Sequence, residues 1–309
     1  MNDFLKDYDD LIRSLSDMQS FAESPYLVPF DGYFNIAQTR TSPTEDDGPL
    51  TKKACKKKLK KVVAEIDAIQ QMMYAHDHHS VLLVFQAMDA AGKDSTIRAV
   101  TKGLNPAGCQ VSSFKKPSAN ELDHDFLWRT TKALPQRGRI GIFNRSHYEE
   151  VLIARVHPNI LASQRLPGIN LDTVWQGRYE SINDMEQHLA KNGTVVIKFW
   201  LNVSKEEQKN RFLSRLDEPE KHWKFSESDI DQRQHWDQYM HAYDIALRET
   251  SKPWAPWYAI PADNKPFMRL KVAEIILKTM QGLDLHYPVV SDDEKSRFDD
   301  YRARLNDED

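Results

Sequence analysis

The sequence predicts an α/β fold, a parallel sheet with helices on both faces. Two observations carry that reading. Short apolar runs alternate with helix-compatible segments from about residue 81 to 280, the pattern of strands joined by crossover helices. The first run, Val81-Leu82-Leu83-Val84-Phe85, stops at Gln86-Ala87-Met88-Asp89-Ala90-Ala91-Gly92, and Lys93-Asp94-Ser95-Thr96 then opens a helix. Strand, small-residue loop and helix start in that order read as a phosphate-binding loop. The first N–H groups of a helix lack intrahelical partners, the helix dipole favours an anion, and the lysine adds a point charge. The usual pattern has Gly at the place of Ala87 and Ser or Thr at the place of Asp94, with Ser95 here one step later. Taken alone, the loop is also compatible with an ordinary strand-to-helix turn.

The elements follow in order. Residues 4–21 set Phe4, Leu5, Tyr8, Leu11, Ile12, Leu15 and Met18 at helical spacing. A Pro-, Gly- and Asp-rich connector from about Pro25 to Pro49 reads as an arm laid over the surface or over a partner subunit. Residues 52–75 read as a long helix, lysine-rich first and then apolar at Val62, Ile66, Ile69, Met72 and Met73. Strands are expected at 81–86, 109–114, 139–143, 194–201 and 257–260. Helices are expected at 93–103, 119–132, 146–155, 172–191, from Ser204, and at 266–280. Between 215 and 250 the chain is polar, aromatic and helix-compatible, the place for a mobile lid. The chain thus divides into an N-terminal helix and arm (1–50), a catalytic domain (51–285) and a tail (286–309).

Composition narrows the function. With 309 residues, 28% of them charged and 40% hydrophobic, the chain has the make-up of a globular protein. A net charge of −4 argues against bulk nucleic-acid binding, so a polyanionic ligand needs a local basic groove. No apolar run approaches a membrane span, and Met1-Asn2-Asp3-Phe4-Leu5-Lys6 does not open a signal peptide. The two cysteines, Cys55 and Cys109, read as free thiols in a reducing cytoplasm.

Four groups of residues carry chemistry. In the loop, Lys93 offers charge to a phosphoryl group in transit, and Asp89 makes sense beside phosphates when a divalent cation stands between them. A turn-forming role for Asp89 is the plainer alternative. The strand Arg139-Ile140-Gly141-Ile142-Phe143 ends in Asn144-Arg145-Ser146-His147-Tyr148-Glu149-Glu150. At this strand end Asn144 offers a carbonyl oxygen to a metal, and Arg145 faces the crevice where open α/β sheets bind ligands. Arg211 and Arg215 lie four apart on one helix face, suited to clamping phosphate oxygens or to pairing with Glu207 and Glu218. After the second strand, Lys115, Lys116, Asp123 and Arg129 stand where acceptor nucleotides bind in small-phosphate-acceptor kinases, and Arg129 is the candidate to hold the acceptor phosphate. The lysine run from Lys52 to Lys61 reads by default as a solvated helix face.

These residues resemble the polyphosphate kinase 2 family. The carrying segments are Gln86 to Asp94, Asn105-Pro106-Ala107-Gly108-Cys109, Ser113 to Ser118, Glu121 to Arg129, Asn144 to Glu149, and the stretch from Arg211 to Trp223. The chain is most similar to the subgroup, class III, in which Asn replaces a metal-binding Asp and whose members can phosphorylate nucleoside mono- and diphosphates. The resemblance implies a P-loop kinase sheet like that of thymidylate kinase, with a helical lid. It implies Mg²⁺, with Mn²⁺ as a substitute, organised by Asp89 and Asn144. Lys93, Arg145 and Arg211 would grip the transferred phosphoryl and the donor chain. Substrate contacts are expected from Ala90, Ala91, Gly92, Asp94, Ser95, Lys115, Lys116, Asp123, Arg129, His147, Glu149 and Arg215. The subgroup usually has Gly at the place of Ala87, whose methyl is expected to crowd the approach to phosphate.

The expected activity is phosphoryl transfer from inorganic polyphosphate to AMP and/or ADP, giving ADP and/or ATP, with other purine nucleotides as further acceptors. The expected partners include a second copy of the chain, but neither nucleic acid nor membrane. The rival readings are an ATP-dependent nucleoside monophosphate kinase and a non-catalytic polyphosphate- or nucleotide-binding protein.

Overall fold

The computed structural model describes residues 21–307. The helix expected at 4–21 lies, but for its last position, outside the described residues.

Five parallel strands form one sheet in the order β2-β3-β1-β4-β5: β1 (Ser80–Gln86), β2 (Cys109–Ser113), β3 (Ile140–Asn144), β4 (Thr194–Asn202) and β5 (Trp257–Pro261). All residues of β1, β4 and β5 are buried, which is why they read as predominantly apolar runs. The longer helices are α1 (Lys52–His76), α2 (Lys93–Val100), α3 (Val174–Lys191), α4 (Lys205–Asp217), α5 (Glu227–Gln234), α6 (Trp236–Thr250), α7 (Lys265–Gln281) and α8 (Phe298–Asn306). One group, α1, α2 and α7, packs together, with α7 also touching β4 and β5; α3 packs on β4 and on α6. Among the described residues no helix is long and apolar enough to cross a membrane.

Helix starts follow capping chemistry. Thr51 Oγ1 accepts from Ala54 N–H at 3.3 Å to open α1, Ser204 Oγ from Glu207 N–H at 3.1 Å to open α4, and Asn264 Oδ1 from Phe267 N–H at 3.1 Å to open α7. The single helix expected at 119–132 is instead two short pieces, Ala119–Leu122 and Trp128–Thr131. Asp125 is the cause: its Oδ1 accepts from the N–H groups of Leu127 at 2.9 Å and Trp128 at 3.1 Å, offering the backbone an alternative to the helix. The helix expected at 146–155 is likewise a 3₁₀ turn, His147–Glu150, and a short helix, Ile153–Val156.

The connector expected to be a surface arm pairs with the chain's own sheet. Val28 N–H donates to Trp257 O at 2.9 Å and Ala259 N–H to Tyr26 O at 2.8 Å, an antiparallel bridge along the outer edge of β5. The segment expected to be a lid divides in two. Pro219–Lys224 and α5 bury no residue, whereas α6 buries Trp236, Tyr239, Tyr243, Ala246 and Leu247 as a helical stripe in the core.

A charged cluster lies inside the fold. Lys198, in β4, donates from Nζ to Glu186, to Tyr148 Oη at 2.8 Å and to Thr250 O at 2.8 Å, while Tyr148 Oη donates to Glu186 Oε1 at 2.9 Å. Burial drags Lys198 down to about 8 against the pull of Glu186. Burial also works against the Glu186 carboxylate, but Lys198 and His147 outweigh it and hold that group below its usual range. Removing one partner leaves the other charge buried and alone. Glu186→Gln is therefore expected to lower stability by about 3–5 kcal/mol. Urea unfolding checks this, and an unchanged midpoint would show that the pair carries no such weight.

Candidate active site

The strand order places β1 between β3 and β4, and the connection from β1 runs to β2 on one side while that from its neighbour β3 runs to β4 on the other. Open α/β sheets bind ligands in the crevice outside such strand ends. Phe85 of β1 pairs in register with Asn144 of β3, which sets the phosphate-loop side of β1 against the Asn144-Arg145 segment. A cavity of about 620 Å³ opens there.

The loop's backbone is unusual at two points. Ala90 has φ 59°, in the left-handed region, and Gly92 has φ 111°. At Gly92 a Cβ would also meet Met268 Cε at 3.2 Å, a close approach that the flexible Met side chain can relieve, so it is the backbone conformation that calls for glycine before α2. No side chain caps the N-terminus of α2, which leaves its first N–H groups to face the cavity. Lys93 is nearly buried and donates to Ala87 O at 2.6 Å. Burial, and then Arg145, push its ammonium below the usual range. Ala87 is packed in the core and does not line the cavity.

Asn144 and Arg145 stand opposite. The Asn144 amide donates to Asp94 Oδ1 at 2.6 Å, which leaves its carbonyl oxygen available. Arg145, at φ 62°, donates to Asp89 Oδ1 at 2.9 Å. Glu149 is the main group that holds Arg145 charged, with Asp89 adding to it against the cost of burial. Burial pushes the Glu149 carboxyl up, and Arg145 and Lys93 oppose that shift.

Arg211 reaches the cavity from α4, but its donors are engaged. Nε donates to Glu207 at 2.7 Å, Nη1 to Ala90 O at 3.1 Å and Ala91 O at 2.6 Å, and Nη2 to Ala262 O at 2.6 Å and Asp263 O at 3.1 Å. One guanidinium thus ties the phosphate loop to the turn after β5. Its charge remains at the cavity, but its hydrogen bonds position the loop rather than grip an oxygen.

Of the residues expected from sequence, Asp89, Ala90, Gly92, Lys93, Asp94, Ser95, Lys115, Asn144, Arg145, Arg211 and Arg215 line this one cavity. Others do not. Ala91 contributes its carbonyl to Arg211 from a buried position. His147 is fully buried with its ring 3.6 Å from Glu186, so it has no access to a ligand in the cavity. Lys116 is exposed outside the cavity, and Asp123 is exposed and paired with Arg165. Glu149 lies behind Arg145 and acts on the cavity through it. Arg129 faces a separate space of about 80 Å³ with Glu150 and Arg178; it donates to Lys115 O at 2.8 Å and Glu150 Oε1 at 3.5 Å.

Sequence reasoning missed Lys221, Lys265 and Arg269, which also line the cavity. A signal existed for the last two. They lie four apart at the start of the helix that follows β5, the end of the sheet where ligands bind. Arg269 Nε is buried with no hydrogen-bond partner, which suits it to an anion. Burial, and then Arg211, bring Lys265 down to about 8.

The lining carries nine cationic side chains, Lys93, Lys115, Arg145, Arg211, Arg215, Lys221, Lys224, Lys265 and Arg269, against two carboxylates, Asp89 and Asp94. That excess suits a ligand with many negative charges. The oxygen donors Asp89, Asp94 and Asn144 suit a hard divalent cation that keeps water and takes its remaining ligands from phosphates. Among the described residues no group of three or more His, Cys, Asp or Glu forms a ready-made metal cage.

A parallel sheet, a phosphate loop at its central strand and this concentration of positive charge define a P-loop phosphotransferase. Comparison with known proteins gives the particular family. The family model for polyphosphate kinase 2 matches residues 49–287, and the chain belongs to that family. It is 58% identical over 232 residues to an ADP-polyphosphate phosphotransferase of Rhodopseudomonas palustris, covering 74% of this chain and 80% of that one. It is 43% identical over 265 residues to an AMP/ADP-polyphosphate phosphotransferase of Meiothermus ruber, covering 85% and 94%. The crystal structure of polyphosphate kinase 2 from Arthrobacter aurescens superposes with a TM-score of 0.82 at 36% identity, covering 93% of this chain and 98% of that one.

Proposed function

We propose that this chain transfers a phosphoryl group from inorganic polyphosphate to AMP, ADP or both, with Mg²⁺ held by Asp89 and Asn144. The observation that carries the reading is the nine-to-two excess of cations over carboxylates in one cavity at the ends of β1 and β3. Relatives named for AMP and ADP as acceptors support it.

The bond from the terminal phosphorus to its bridging oxygen in the chain breaks, and a bond to the acceptor's terminal phosphate oxygen forms. The leaving group is the shortened polyphosphate anion. The attacking oxygen is already anionic, so no protein nucleophile is needed. What the transfer needs is positioning and charge neutralisation. Lys93 and the free N–H groups of α2 hold the transferred phosphoryl, and Arg145 faces it from the β3 side. Arg215, Lys221, Lys224, Lys265 and Arg269 neutralise the donor chain. A divalent cation held by Asp89 and Asn144 would supply further charge neutralisation there. Pro219–Lys224 with α5 is the mobile part of the lid. It is tethered by Arg215 Nη1 to Asp229 Oδ2 at 3.1 Å and by Arg233 Nη1 to Gln208 Oε1 at 2.8 Å. We also place the enzyme in a reducing compartment, to which its free cysteines are suited, and expect self-association measurable by sedimentation.

The test incubates purified protein with Mg²⁺ or Mn²⁺, polyphosphate and AMP or ADP, and separates the nucleotides. Absence of any higher nucleotide under every metal condition would refute the proposal. Activity with ATP and AMP but none with polyphosphate would favour an ordinary nucleoside monophosphate kinase.

The position of Lys265 gives a pH dependence. Its pKa near 8 in the free protein means that it is charged below that pH and loses its ammonium as the pH rises through it. The KM for polyphosphate is expected to rise about three- to tenfold between pH 7.5 and 9. Lys265→Arg, which stays protonated throughout, should flatten that limb. A parallel rise in both proteins would assign the limb to another group.

A further inference from the structure

The lysine run at the start of α1 has no role in the site described so far, yet the structure links it to that site. Lys265 lines the active-site cavity and also a second, shallower groove of about 600 Å³ with Ser42, Pro43, Leu50 and Lys52. The far end of that groove is therefore the first turn of α1. Asp263 also lines the groove, but its carboxylate already accepts from Ser204 N–H at 2.8 Å and Ser42 Oγ at 3.1 Å.

From Lys52 onward, α1 carries Lys52, Lys56 and Lys60 in one i, i+4 row and Lys53, Lys57 and Lys61 in the adjacent row, all exposed. Lys58 alone of the run is paired, to Glu274 at 2.5 Å. The two rows cover about half of the helix surface over roughly 14 Å of its length. This arrangement is unfavourable for the helix itself. Like charges at i, i+4 repel, and cations at a helix N-terminus oppose its dipole. The first turn contains no acidic residue to relieve them.

We propose that these two rows are a track for the distal part of a long polyphosphate chain, which leaves the active-site cavity past Lys265 and continues along α1. The inference rests on polyphosphate being the donor. The track makes the enzyme prefer long chains: several lysines engage a polymer already anchored at the phosphate loop, so each added contact is intramolecular. Short chains end before reaching it.

The test replaces Lys52, Lys53, Lys56, Lys57, Lys60 and Lys61 with Gln. All six are exposed, and the variant is expected to melt no lower than the parent because the repulsion is gone. With ADP as acceptor, the KM for long-chain polyphosphate should rise about tenfold or more and its dependence on salt should weaken. The KM for tripolyphosphate and the kcat should stay as in the parent. A variant that keeps the parent's ratio of long-chain to tripolyphosphate KM overturns the track, and so does one that loses both substrates equally. Titration of long-chain polyphosphate without nucleotide reads the same difference independently of turnover. A parent that binds the polymer more tightly than the variant but transfers nothing would sink the kinase reading and leave the track standing.

Discussion

Lys93→Ala is expected to lower kcat/KM for polyphosphate by about a thousandfold, with most of the loss in kcat. The ammonium is nearly buried at the start of α2, close to Arg145, Asp89, Glu149 and Asp94. It donates to Ala87 O. Burial depresses its pKa, so the fold holds this charge at a cost that a phosphoryl group beside it relieves. That differential is what favours the transferring group over water, and a neutral side chain cannot supply it. Stopped-time nucleotide separation at saturating polyphosphate measures the loss, and urea unfolding should show a midpoint close to wild type. A kcat within tenfold of wild type would remove Lys93 from the chemistry.

Arg145→Ala is expected to cost about a hundred- to a thousandfold in kcat, and Arg145→Lys should recover little of it. Arg145 leaves β3 in a left-handed backbone conformation uncommon for a residue with a side chain. Its guanidinium reaches Asp89 across the cavity while Glu149 holds it charged from behind. A lysine brings the charge but not the planar fork that can meet Asp89 and a phosphate together. Full rescue by lysine would mean that only the charge matters.

The parts of this molecule that were legible in the sequence are those where local chemistry and global fold agree. β1 and β4 are mostly apolar because both faces are covered, Lys198 being the one charge inside β4. The loop is legible because Gly92 and the residues around it have few other uses. Asn144 and Arg145 end a strand that pairs with β1, which brings them to the cavity beside the loop. The misreadings have physical causes. Arg129 and Asp123, read as acceptor contacts from their place after the second strand, lie outside the cavity, Arg129 beside Glu150 and Arg178 and Asp123 paired with Arg165. His147 was expected as a substrate contact along with its neighbours; the 3₁₀ turn sends its ring inward to Glu186. Residues 236–250 were grouped with the lid for their aromatic content, although Trp236, Tyr239, Tyr243 and Leu247 lie at the spacing of a buried helical stripe. Lys265 and Arg269 were overlooked because they come about 170 residues after the loop they face, a proximity that only the strand order brings about.

The antiparallel bridge at Tyr26–Val28 has a practical consequence. Trimming the chain past residue 28 would strip the cover from Trp257 and Ala259 and leave a flat, apolar, unpaired strand as a template for foreign chains. Shortened forms should therefore precipitate rather than merely lose activity, and expression work is better served by keeping the front of the protein intact.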